Sequence, residues 1–147
     1  MKIILFEDTN AEAVKMLAAL RGVVGGSDAV ERFEGGAAEP EKTYEDRLRV
    51  ELSDERYRDA TLIVADRDLS KTSNYTGLSE SVVRRVADQL ATPECFYARN
   101  AADVQVVRAE EREAFIAVSI EDGADECAKR VFAVAQGFEE IRAKLSD

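Results

Sequence analysis

Two short apolar runs that end abruptly at carboxylates constrain the fold of this chain more than any other feature. Residues 3–6 are followed by Glu7 and Asp8, and residues 62–65 are followed by Asp66. Runs of β-favouring residues without polar alternation are typical of parallel strands that are covered on both faces. Both runs are therefore predicted to be inner strands of a parallel sheet.

The acidic residues after these runs are expected to meet at one edge of the sheet. Ligands of open α/β sheets bind outside the carboxyl ends of the strands. Glu7, Asp8, Asp66 and the nearby Asp68 would therefore form one acidic pocket. Carboxylates held together repel one another unless a cation neutralises them, and Mg²⁺ does so with oxygen ligands. The pattern predicts a Mg²⁺ site made by these four residues.

A simpler interpretation of the same acids remains open. Acidic residues also follow strands because they cap the next helix or are solvated in a loop. Asp8 and Thr9 are suited to cap a helix that begins near Asn10. In that case the chain would be a metal-free adaptor without a cation site.

The composition narrows the class of protein. The chain has 147 residues, which predicts a single domain over 1–147, and 30 acidic against 20 basic residues give a net charge of −10. That charge argues against non-specific binding to nucleic acids or anionic membranes. The chain has no histidine, which excludes Ser-His-Asp and Cys-His catalysis.

The cysteines and the hydropathy pattern predict the compartment. Cys95 and Cys127 lie in apolar patterns without metal-ligand spacing, so we expect two buried, reduced thiols. Apolar runs stay well short of the length that spans a membrane. A cytoplasmic protein without membrane contacts is expected.

Strand-like and helix-like segments alternate along the chain. Strands are predicted at about 2–7, 29–33, 61–66, 95–98 and 114–120, and helices at about 10–20, 44–52, 79–90 and 127–145, whereas 100–107 fits either type. A capping box of Thr9 and Glu12 and a stripe of Val14, Leu17 and Ala18 are predicted for the first helix. This (βα)5 order predicts an α/β fold with a doubly wound parallel sheet.

The arrangement resembles the receiver domain of two-component response regulators. Phe6-Glu7-Asp8 resembles the acidic pair of that family, Ala65-Asp66-Arg67-Asp68-Leu69 resembles the segment with its phosphoacceptor, and Gly77-Leu78 and Pro93 match two further positions. The resemblance implies a five-stranded flavodoxin-like sheet with strand order 2-1-3-4-5. It also implies that Asp66 is the phosphoacceptor, that Asp8 and the Asp68 carbonyl bind Mg²⁺, and that Glu7 assists through a water molecule.

Two departures from the receiver pattern weaken the case for phosphorylation. Receivers end the fourth strand with a Ser or Thr and the fifth with a Lys-Pro pair, whereas this chain has Ala98 and Val118-Ser119-Ile120 there. Losing a cation that stabilises transferring charge costs orders of magnitude in rate. Lys71 in the preceding loop is the one candidate replacement. The prediction is thus a degenerate receiver that acts mainly through protein contacts, and enzymatic activity stays an open alternative.

The resemblance also implies partners. A protein partner or effector domain, a histidine kinase and a homodimer are the expected classes, and residues 104–112 with the exposed side of the last helix would form the contact face. Two other functions stay open. One is a phosphorylatable receiver with Asp66 as acceptor. The other resembles a Toprim core, in which Glu7, Asp66 and Asp68 bind metal for phosphodiester chemistry.

Overall fold

The computed structural model describes residues 1–25, 29–34, 41–67, 69, 78–98, 116–120 and 123–146, with side chains left out at 41, 42, 116–119 and 146. Asp68, the loop with Lys71, the ambiguous segment 100–107 and the predicted contact face at 104–112 lie outside the described residues.

Strands and helices alternate over the described residues. The strands are β1 (Ile3–Phe6), β2 (Val30–Arg32), β3 (Leu62–Asp66), β4 (Glu94–Ala98) and β5 (Ile116–Ser119). The helices are α1 (Asn10–Val24), α2 (Glu41–Leu52), α3 (Glu80–Gln89) and α4 (Ala124–Ser146).

These strands form one parallel sheet in the order β2-β1-β3-β4-β5. The predicted α/β class and parallel sheet are confirmed. The four strands whose side chains are described, β2-β1-β3-β4, follow an order that is compatible with a flavodoxin-like fold. β5 is described by its backbone and extends the sheet beyond β4.

The sheet is buried on both faces, as its unbroken apolar runs predict. Alternate residues of each strand point to opposite faces, so Ile4 and Phe6 pack with α2 and α3, whereas Ile3 and Leu5 pack with α1 and α4. All four of these side chains are at most 1% exposed. The helices therefore cover both faces, which is the doubly wound arrangement.

Helix α1 begins where predicted but turns a different face to the core. Ala13, Met16 and Leu20 are buried, whereas Val14 is 68% exposed. The predicted stripe through Val14 is therefore wrong. α1 lies against both the sheet and α4, and small alanines allow that close packing. Thr9 is the N-cap residue, but its side chain makes no capping hydrogen bond, so the predicted capping box is not formed.

Helix α4 is longer than the sheet that it covers. It has 23 residues and so spans about 34 Å, whereas the five residues of β4 span about 17 Å. Cys127 and Val131 are buried in the core, but Ile141 and Leu145 are 52% and 82% exposed. The apolar positions of α4 therefore pack against the core as far as Phe138, and the last turns of the helix extend past it.

Among the described residues, no helix combines the length and the apolar character that crossing a bilayer requires.

Candidate metal centre

The carboxyl ends of β1 and β3 bring the predicted acidic residues together. Phe6 pairs with Ala65 across these adjacent strands, so the chain leaves the sheet at Glu7 on one strand and at Asp66 on the other. Between these strands the sheet order reverses, since β1 leads to β2 on one side and β3 leads to β4 on the other. Such a switch point is where open α/β sheets bind their ligands.

Three of the four predicted ligands meet at this point. Glu7, Asp8 and Asp66 each offer one carboxylate oxygen, and these oxygens lie within 4.8 Å of one another. Glu7 and Asp8 are 2% and 1% exposed, and Asp66 is partly exposed. The arrangement is a buried acidic pocket with one side open to solvent. The fourth predicted ligand, Asp68, lies outside the described residues, so the Toprim set stays a prediction.

Both carboxylate oxygens of Glu7 accept hydrogen bonds from the protein. The Tyr97 hydroxyl donates to Oε2, and the backbone N–H of Thr9 donates to Oε1 at 3.2 Å. Tyr97 pairs with Asp66 across β3 and β4, so its ring lies beside the acidic pocket. These contacts fix the orientation of the Glu7 carboxyl group.

Burial is the largest cause of the raised pKa of the Glu7 carboxyl group. It raises the pKa of the Glu7 carboxyl to about 8, and repulsion from Asp66 adds to the rise. The hydrogen bond from Tyr97 acts in the opposite direction but is weaker. Burial also raises the pKa of Tyr97 well above its usual value, and the Glu7 charge adds to that effect. Near neutral pH, Glu7 therefore holds a proton when no cation is bound.

Arg32 supports the turn that carries the acids. Its Nε and Nη2 donate to the backbone carbonyl of Glu7 at 3.0 and 2.5 Å, and its Nη1 donates to Asn10 Oδ1 at 2.9 Å. The end of β2 thereby holds the segment 7–10 from the side opposite β3. A planar guanidinium suits this role because its donors lie in a fixed fork.

The donor set fits a hard divalent cation. All three side chains offer carboxylate oxygens, which are the ligands that Mg²⁺ and Ca²⁺ prefer. Glu7, Asp8 and Asp66 are the residues that would hold such an ion, each through one carboxylate oxygen. A bound cation would neutralise the clustered carboxylates and attract a phosphoryl oxygen or another anionic group.

Tyr97 and Arg32 were not among the site residues predicted from the sequence. Each lies at or next to the carboxyl end of a strand that neighbours the acidic pair, and that position was the available signal. Ala98, which was expected at the end of β4, is there and is buried. The strand therefore brings a tyrosine hydroxyl to Glu7 and a methyl group to the position where receivers have a hydroxyl.

Comparisons with protein-family models, with curated proteins and with solved structures gave no match to this chain.

Proposed function

We propose that this protein is a receiver-like signalling domain that binds a divalent cation in its acidic pocket and acts through contacts with other proteins. The observation that carries the proposal is the group of three carboxylate oxygens within 4.8 Å at the switch point of a parallel sheet. Buried carboxylates are costly to keep together, and a bound cation removes that cost.

The residues around the pocket argue against a phosphorylation switch. The methyl group of Ala98 ends β4 and has no donor for a phosphoryl oxygen. The hydroxyl of the adjacent Tyr97 is already engaged by Glu7. β5 ends at Ser119 and is followed by Ile120, so the described end of that strand has no lysine. Among the described residues, Asp66 would thus lack the groups that stabilise charge during phosphoryl transfer.

Regulation by cation binding remains available without phosphorylation. A cation held by Asp8 and Asp66 would join the ends of β1 and β3 and order the turns that follow them. That change would alter the surface around the pocket, where a protein partner or a second copy of the chain could bind. The proposed output is therefore a protein contact that depends on the divalent cation.

A Mg²⁺ titration of the full chain tests the cation site. Tyr97 reports on the pocket, because its hydroxyl donates to Glu7 and its near-UV absorbance responds to that hydrogen bond. We expect a saturable change with one ion per chain, lost in Asp66→Asn and in Asp8→Asn. Asp125→Asn, an exposed acid in the first turn of α4, is the matched control and should titrate like the unsubstituted protein. Absence of saturable binding would contradict the proposal.

Two further measurements separate the output mechanisms. Intact mass after incubation with Mg²⁺ and acetyl phosphate should show no added phosphoryl group. A gain that disappears in Asp66→Asn would instead select the phosphorylatable receiver. Sedimentation with Mg²⁺ and with EDTA should show a cation-dependent change in self-association or in binding of a co-purified protein. Equal behaviour under both conditions would contradict an output through cation-dependent contacts.

A further inference from the structure

A second concave site lies at the opposite edge of the sheet from the acidic pocket. A cavity of about 200 Å³ opens at the amino ends of β1 and β3. Ile4 and Ile63 form its floor and lie three residues before Glu7 and Asp66 on the same strands, which is about 10 Å along each strand. The two sites are therefore separate and share a pair of strands.

The cavity has an apolar floor and a polar rim. Besides the two isoleucines, Leu52 and Leu90 line it from the ends of α2 and α3. The rim is polar and is formed by Ser53, Tyr57, Arg58, Asp59 and Thr92. An apolar cavity of about 150 Å³ holds benzene in a protein interior, so this cavity has room for a ring of that size with one small polar substituent.

The backbone around the mouth is held in fixed conformations. Asp59 has φ 62° and Ala91 has φ 54°, both in the left-handed region that favours glycine. Ala91 ends α3 with hydrogen bonds from its N–H to the Asp88 carbonyl and from the Thr92 N–H to the Ala87 carbonyl. Such conformations persist where surrounding contacts impose them, and they recur at ligand sites.

Arg58 supplies an unmatched charge at this mouth. Its backbone is fixed, since its N–H donates to the Asp54 carbonyl at 2.8 Å and its own carbonyl accepts from Lys2 Nζ at 2.8 Å. Within the described part of the chain, its guanidinium has no hydrogen bond or ion pair. Its neighbour Asp59 also lines the cavity, so a ligand with a second negative charge would meet an acidic residue there.

We propose that this cavity binds a small monocarboxylic acid whose apolar part is about as large as a benzene ring. The apolar part contacts Ile4, Ile63 and Leu90, and the carboxylate pairs with the guanidinium of Arg58. A guanidinium binds a carboxylate through two parallel N–H donors, which fixes the orientation of the ligand.

Methyl NMR of the full chain tests this site with three probes that share a benzene ring and differ in charge. Benzoate carries one negative charge, benzyl alcohol carries none and phthalate carries two. We expect benzoate to shift the methyl signals of Ile4, Leu52, Ile63 and Leu90, and to bind more tightly than either of the other probes. The proposal is overturned if benzoate leaves these signals unchanged, or if benzyl alcohol or phthalate binds as tightly.

Two variants check the assigned contacts. Arg58→Gln should weaken benzoate binding by up to about fivefold, the upper end of what an exposed ion pair contributes. Arg56→Gln is the matched control, because Arg56 is an exposed neighbour that pairs with Glu31 and does not line the cavity. Equal affinities of the two variants would overturn the role of Arg58. Ala60→Val should fill part of the cavity and reduce binding, and the NMR result on the unsubstituted protein stands if that variant does not fold.

Discussion

The hydroxyl of Tyr97 donates a hydrogen bond to the carboxylate of Glu7, which lies 90 residues earlier in the chain. The contact joins the end of β4 to the turn after β1, across the intervening strand β3. Glu7 is almost fully buried, so the orientation of this acid depends on the few donors that reach it. The hydrogen bond therefore links the position of β4 to the orientation of the Glu7 carboxyl group.

Removing the hydroxyl should lower the stability of the metal-free protein. Tyr97→Phe leaves Glu7 Oε2 without its donor, and a buried oxygen that loses its partner costs about 1–3 kcal/mol. The free energy of unfolding in urea measures this change. A double-mutant cycle with Glu7→Ala, which removes the acceptor oxygens, should give a coupling of at least about 0.5 kcal/mol. Additive effects would contradict a direct bond between the two side chains.

Glu7→Gln should separate stability from cation binding. A glutamine has nearly the shape of the protonated acid and removes the repulsion from Asp66 that helps to raise the pKa of Glu7. We expect the free energy of unfolding without metal to be unchanged or higher, while the affinity for Mg²⁺ falls. Glu140→Gln on the exposed side of α4 is the control and should change neither quantity. A loss of stability with unchanged Mg²⁺ affinity would count against the proposed site.

A second buried acid predicts how stability depends on pH. Burial raises the pKa of Glu94 from 4.5 to about 9, and repulsion from Glu80 adds to the rise. The folded protein therefore keeps a proton on Glu94 that the unfolded chain releases above pH 4.5. Stability from this group is fully present below pH 4.5 and is lost as pH rises towards 9, by at most about 1.4 kcal/mol per pH unit.

Urea unfolding at pH 5.5, 7 and 8.5 measures that dependence. Stability should fall across the series, and Glu94→Gln should flatten the fall, because glutamine does not titrate. Arg84 and Asp88 also act on Glu94, with opposite signs, so neutralising either one should shift the pH range. An unchanged slope in Glu94→Gln would show that other groups carry the proton uptake.

Both thiols should be inert in the folded protein. Cys95 and Cys127 are buried and are not joined in a disulfide, and burial raises the pKa of Cys127 to about 12. Because the thiolate is the reactive form, modification should proceed at the rate at which the protein opens. Mass spectrometry after maleimide treatment at pH 7.5, with and without urea, measures this. Rapid labelling of either cysteine without urea would show an accessible thiol that the buried positions do not explain.

The sequence predicted the sheet better than the helices, for a physical reason. Unbroken apolar strands have one interpretation when both faces are covered, so β1, β3 and their acidic ends were predicted correctly. Helix α1 packs against both the sheet and α4. Several of its buried residues are alanines, whose small side chains give a weak periodic signal in the sequence. Val14 therefore looked like a core residue although Ala13 and Met16 occupy the core.

The acidic residues of the pocket could be predicted from the sequence, but the residues that hydrogen-bond to them could not. Strand ends in a parallel sheet share one edge, which brings Glu7 and Asp66 together without any knowledge of side chains. Tyr97 and Arg32 reach the pocket from neighbouring strands, and their contacts depend on the strand order and on which face each residue points to. Tyrosine and arginine side chains make many kinds of contact in proteins. The sequence alone therefore does not show that Tyr97 and Arg32 contact the acidic pocket.

The exposed last turns of α4 offer a site for attaching a label or a surface tag. Leu145 is 82% exposed and lies six residues, about 9 Å along the helix, beyond Glu139, which contacts Thr61 just before β3. A fluorophore or a surface-immobilisation tag placed there would sit on a stiff lever whose base is anchored by Cys127 and Val131. Rotational diffusion of such a label would then report the tumbling of the whole body.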